Sequence, residues 1–116
     1  MKGRKPLTIE DLIQEIIRKN KVVIVEGKKD VARLKKLGVL KVVSLSRMPL
    51  CVFCEKIAEN HDEVILLLDN DFEGKKIYSK LKNELSYLGV KTNPEYQKNL
   101  KRLKISHVEG IKIKEE

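Results

Sequence analysis

Val64-Ile65-Leu66-Leu67-Leu68-Asp69-Asn70-Asp71-Phe72-Glu73-Gly74 is the stretch that decides how this chain folds. Five apolar residues in succession, without polar alternation, fit a strand buried on both faces, as in parallel sheets covered by helices. The run closes on two aspartates and a glycine, the composition of a loop between a strand and a helix. The same pattern occurs earlier, where Val22-Val23-Ile24-Val25 is closed by Glu26-Gly27-Lys28-Lys29-Asp30. In open α/β sheets, ligands bind outside the carboxyl ends of the strands. Carboxylates gathered at the edge of a core are costly unless a cation or substrate compensates them. The two runs together point to a metal-dependent site that handles phosphate.

Working outward, helices alternate with strands. Thr8-Ile9-Glu10-Asp11 has the form of a helix start with Thr8 as N-cap. Ile9, Leu12, Ile13, Ile16 and Ile17 then keep helical spacing as far as Asn20. The strand at 22–25 leads into a helix over about 28–37, with Val31, Leu34 and Leu37 inward and Gly38 as its stop. A second strand is expected over 40–44, then a loop through Ser46-Arg47-Met48-Pro49 and a helix over 50–60. The third strand, 64–68, precedes a long helix from Gly74 to Leu88, with Ile77, Leu81, Leu85 and Leu88 on one stripe and Gly89 ending it. Asn93 caps a further helix over 94–103, and the fourth strand is expected at Ile105-Ser106-His107-Val108. The sum is a single α/β domain with a four-stranded, mostly parallel sheet and right-handed crossovers. It is divided into an N-terminal helix segment (1–20), the α/β domain (21–110) and a charged tail (111–116). The stretch from Gly89 to Leu103 is longer than a minimal crossover needs.

The 116 residues carry a net charge of +8, and its placement is informative. Residues 1–58 hold 14 Lys/Arg against 6 Asp/Glu, whereas residues 59–116 hold 11 of each. The whole excess lies in the half that carries Glu26. A basic half suits a polyanionic partner such as nucleic acid, and solubility alone is the competing reading. No apolar run approaches the ~20 residues of a membrane span, and no apolar segment follows the basic N-terminus, so a cytoplasmic protein is expected. Cys51 and Cys54 fall in a helical stretch with only His61 and His107 available as further ligands. They read as small core residues rather than as a zinc or redox pair.

Each acidic cluster has a bland explanation. Asp71 or Asn70 would cap the following helix, and Glu26 is an acid favoured at a helix start. The chemical reading is that Asp69 and Asp71 hold one divalent ion, Mg2+ or alternatively Mn2+, with water and phosphate oxygens completing its shell. Glu26 then serves as general acid/base or as a further ligand. This requires the first and third strands to be neighbours. Gly27 and Gly74 permit close approach of backbone to ligand. Lys28, Lys29, Arg47 and Lys75 lie where they would grip phosphates, as does Lys76, although each alone reads as a solvated charge. His107 reads as a structural histidine before a catalytic one.

Glu-Gly-x-x-Asp after one apolar strand and Asp-x-Asp-x-x-Gly after another resemble the Toprim domain family over about residues 20 to 110. That Rossmann-like domain occurs in type IA topoisomerases, bacterial primases, recombination and nuclease proteins, and a ribonuclease that matures ribosomal RNA. The resemblance implies a general acid/base at Glu26, magnesium at Asp69 and Asp71, and accessory positions at Asp30 and Gly74. This chain departs from the pattern after its second strand, where the family's glycine is absent and the sequence reads Ser44-Leu45-Ser46-Arg47-Met48. Arg47 offers a phosphate ligand there instead. With no tyrosine-nucleophile domain or zinc ribbon among these residues, neither topoisomerase activity nor replicative priming is expected. The resemblance therefore implies Mg2+-dependent cleavage or transfer at a phosphodiester of RNA or DNA. The alternative is a non-catalytic nucleic-acid-binding module within a larger complex. A phosphatase attacking through Asp69 ranks below both, because such motifs follow a first strand.

Overall fold

The structure, a computed structural model, describes residues 8–45 and 47–111. The basic N-terminal segment, Ser46 and the charged tail after Ile111 lie outside the described residues. The elements run α1 (Ile9–Lys19), β1 (Val22–Val25), α2 (Lys28–Lys36), β2 (Val42–Ser44), α3 (Leu50–Asn60), β3 (Glu63–Leu66), α4 (Phe72–Tyr87), β4 (Lys91–Thr92) and α5 (Glu95–Arg102). A 3-10 turn at Val108–Gly110 follows. The four strands are parallel and lie in the order β2-β1-β3-β4. Val22, Val23 and Ile24 of β1 pair with Val64, Ile65 and Leu66 of β3, which places the ends of the two acidic strands side by side.

Both apolar runs are buried along their whole length, as a sheet covered on two faces requires. Alternate residues serve opposite faces. Val23, Val25, Ile65 and Leu67 pack under α1, α2 and α5, joined by Leu12, Ile13, Ile16, Leu34, Tyr96 and Leu100. Val22, Ile24, Val64, Leu66 and Leu68 pack against α3 and α4, joined by Phe53, Cys54, Ile57, Leu81 and Leu85. Each fully buried aliphatic side chain contributes about 1.5–3 kcal/mol over leaving it in water. The termini of the helices carry the expected signals. Thr8 Oγ1 accepts from Asp11 N at 3.1 Å, and Gly38 and Gly89, with φ of 100° and 83°, follow α2 and α4 in the left-handed region.

Three expectations change. The fourth strand is Lys91–Thr92 rather than 105–108. Two polar-leaning residues carry no period-two signal, whereas Ile105 and Val108 imitate one. Ile105 and Ser106 run beside the end of β3 and bond to it only through Asn70, and Val108 opens the 3-10 turn under α2. The long stretch after Gly89 now has an account: it holds β4 and α5. Cys51 and Cys54 do not share a buried face, since Cys54 is buried and Cys51, in the first turn of α3, is exposed. Burial, with Glu84 and Cys51 nearby, pushes the Cys54 thiol up to about 11. Among the described residues no helix is long and apolar enough to cross a membrane.

Candidate functional site

Because the sheet is parallel, the ends of β1, β2 and β3 open on one edge. Glu26 leaves β1 half-buried, and its Oε2 accepts from the backbone N–H of Asp69 at 3.2 Å. Burial raises the Glu26 pKa, and the neighbouring charges of Asp69, Asp71 and Asp30 add to the rise against the lowering effect of that hydrogen bond. Asp30 is 7% exposed and accepts from Gly27 N at 3.1 Å, the reciprocal half of a capping arrangement at the start of α2. Its pKa is raised, again by burial first, with bonds from the Gly27 and Glu109 backbone opposing the repulsion of Asp69 and Glu109.

Asp69 and Asp71 divide their oxygens between structure and site. Asp69 Oδ1 accepts from Val108 N at 2.9 Å. Asp71 is the N-cap of α4, with Oδ1 accepting from Gly74 N at 2.7 Å, so the capping role is real. Its other oxygen, Oδ2, lies 3.4 Å from His107 Nε2, and His107 Nδ1 lies 3.2 Å from Ser106 Oγ. Asp69, Asp71 and His107 each bring one ligand atom into a cluster spanning no more than 4.8 Å. Two carboxylates and an imidazole converging in this way fit a divalent cation, the carboxylates suiting Mg2+ and the imidazole widening the choice toward Mn2+ and later metals.

Gly74 shows why the motif ends in glycine. A Cβ built there would press into the Asp69 carbonyl and sit 2.8 Å from Glu26 Oε2. The first turn of α4 can pack under the two acids only without a side chain at this point. Gly27 differs, since its backbone is ordinary and extended (φ −140°, ψ 176°) and a Cβ would meet Asp30 Oδ2 only at 3.9 Å. There the missing side chain leaves open space in front of α2.

The remaining candidates lie around this edge. Lys28 and Lys29 are exposed on the first turn of α2, Arg47 is exposed in the loop after β2, and Lys75 is exposed on the first turn of α4. Lys75 shares a groove with Asp69 and Asn70. Phe72, next to Asp71, is 76% exposed, with Lys76 Nζ 5.3 Å from its ring centre. Sequence reasoning set His107 down as structural first and passed over two further participants. His107 comes to the Asp pair because 105–107 is not a strand. The Val108 and Glu109 backbones steady Asp69 and Asp30. Gln97 of α5 exchanges two bonds with the Leu68 backbone, Leu68 N to Oε1 at 2.8 Å and Nε2 to Leu68 O at 2.6 Å, and reaches Asn70 Oδ1 at 3.1 Å. Asn70 in turn donates from its backbone to Ser106 O at 2.8 Å and from its side chain to Ile105 O at 3.2 Å.

This fold and this edge define a class, and comparison with known proteins agrees: the chain belongs to the Toprim domain family, whose model matches residues 21–108. It is similar to a UPF0292 protein of Pyrococcus horikoshii, 36% identical over 103 residues that make up 88% of this chain and 77% of that protein. A UPF0292 protein of Methanosarcina barkeri is 32% identical over 107 residues, 89% and 75% of the two chains. A solved structure of a protein from Aquifex aeolicus matches with a TM-score of 0.85 at 30% identity, over 91% of this chain and all of that one. Membership carries a coarse functional statement, metal-dependent action connected with nucleic acids.

Proposed function

We propose that this protein cleaves or transfers a phosphodiester of RNA or DNA with Mg2+ as cofactor, cleavage being favoured. One observation carries the reading: parallel pairing of β1 with β3 sets Glu26 against Asp69 while His107 closes on Asp71. Asp69 and Asp71, with His107 beside them, are the residues that would hold the ion. A divalent ion so held would neutralise charge building on the phosphate. Glu26 is the proton carrier, oriented by the Asp69 N–H that binds one of its oxygens, with the other left for the reacting group. Lys28, Lys29, Arg47 and Lys75 would fix phosphate oxygens around the acids, and the open space at Gly27 would admit one of them to the N-terminus of α2. Cytoplasmic action on nucleic acid is part of this reading.

The test is Glu26→Gln in a metal-supplemented nuclease assay on labelled RNA and DNA. Turnover should fall about 10²–10⁴-fold, the range for a lost general acid or base, with substrate binding retained. Turnover unchanged from the parent protein would remove Glu26 from the chemistry and favour the binding-module reading.

A further inference from the structure

The groove that starts at Asp69 and Asn70 continues between α4 and α5, with a volume of about 330 Å³. Lys75 and Lys82 line it from α4, and Lys98 and Lys101 line it from α5. Tyr78 and Pro94 give it an apolar floor, Tyr78 being half-buried. Among the described residues, none of these four ammonium groups has a carboxylate within ion-pair distance. Solvated helix lysines need no common target. These four face one groove from two helices, and the groove's head is the acidic site itself.

We propose that this groove seats a single nucleic-acid strand, with Lys82, Lys98 and Lys101 holding its sugar-phosphate backbone as it leads away from Asp69. The inference rests on the phosphodiester reading of that site and names its substrate class. The volume is at the low end of the ~300–1,000 Å³ of drug-sized ligand pockets, room for a nucleotide-sized piece of chain. A positive track with an aromatic floor is the arrangement by which proteins hold single strands without reading sequence. The assignment also gives α5 a purpose: it supplies the side of the groove opposite α4.

The experiment is fluorescence anisotropy in EDTA, with a labelled single-stranded oligonucleotide, the duplex of the same sequence, and ATP as competitor. The triple variant Lys82→Gln, Lys98→Gln, Lys101→Gln keeps helix-favouring residues at exposed positions, and a thermal melt checks its fold. Its affinity for the single strand should fall at least ~10-fold. The slope of log affinity against log salt should shrink by about 2, at roughly 0.7 for each phosphate contact removed. Unchanged affinity in the triple variant overturns the proposal. So does a duplex bound as tightly as the single strand, or ATP displacing the oligonucleotide at micromolar concentration. Mn2+ titration of the same triple variant and of Asp71→Asn separates this result from the metal reading. The triple variant should bind Mn2+ as the parent does. Normal Mn2+ binding by Asp71→Asn sinks the metal reading and leaves the groove result standing.

Discussion

Asp71 spends one oxygen on the Gly74 N–H and turns the other to His107, so its structural and chemical duties separate by substitution. Asparagine caps helices about as well as aspartate. Asp71→Asn should therefore change stability by no more than about 0.5 kcal/mol in urea melts, while Mn2+ affinity by calorimetry falls at least ~10-fold. Gly74→Ala does the opposite kind of damage, forcing the Asp69 carbonyl and Glu26 apart. It should cost about 1–3 kcal/mol, as overpacking does, and weaken the metal as well. The raised pKa values of Glu26 and Asp30 have a stability consequence whose sign is fixed. The folded state holds these protons more tightly than the unfolded chain. Their contribution is whole below the unfolded carboxylate pKa of about 4 and is lost as pH rises through the folded values. In EDTA, Glu26→Gln should melt higher than the parent protein at pH 7.5, with the gap closing as pH falls toward 4. Glu26, Asp69 and Asp71 were legible in the sequence because each closes an apolar run whose burial fixes where it ends. His107 was not, because its place depends on where 105–110 goes, and nothing local distinguishes Ile105 and Val108 from a strand.

At the scale of elements, α5 packs on the sheet through Tyr96 and Leu100 and also bonds to its edge through one side chain. Gln97 gives Leu68 the donor and acceptor that a longer β4 would have given. Replacing it with Leu strands two buried backbone groups, at about 1–3 kcal/mol for each. Gln97→Leu should lose at least ~2 kcal/mol in urea melts, most of it attributable to those two groups. The helices α1 to α4 were readable from apolar periodicity and their Gly stops. The two-residue β4 was not, since its pairing is dictated by the neighbouring β3 and leaves no pattern of its own. Nor does a single glutamine in a charged helix announce that it will serve as a strand.

At the scale of the whole molecule, the sheet separates two cores among the described residues. Leu100 of α5 lies in one, and Leu81 of α4 lies in the other. Truncation of either to Ala should cost about 2–5 kcal/mol. The double variant should lose the sum within ~0.5 kcal/mol, in one transition shared by far-UV circular dichroism and tyrosine fluorescence. The closed edge of β3 has another consequence, for what the molecule can stick to. A strand end with unpaired N–H and C=O groups is a template for a foreign strand. Between Thr92 and Asn70 that template would lie beside the acids, and the Gln97 carboxamide and the Ser106 carbonyl occupy it instead. Loss of the Gln97 carboxamide should therefore reopen that edge and appear first as dimers and larger species on a sizing column.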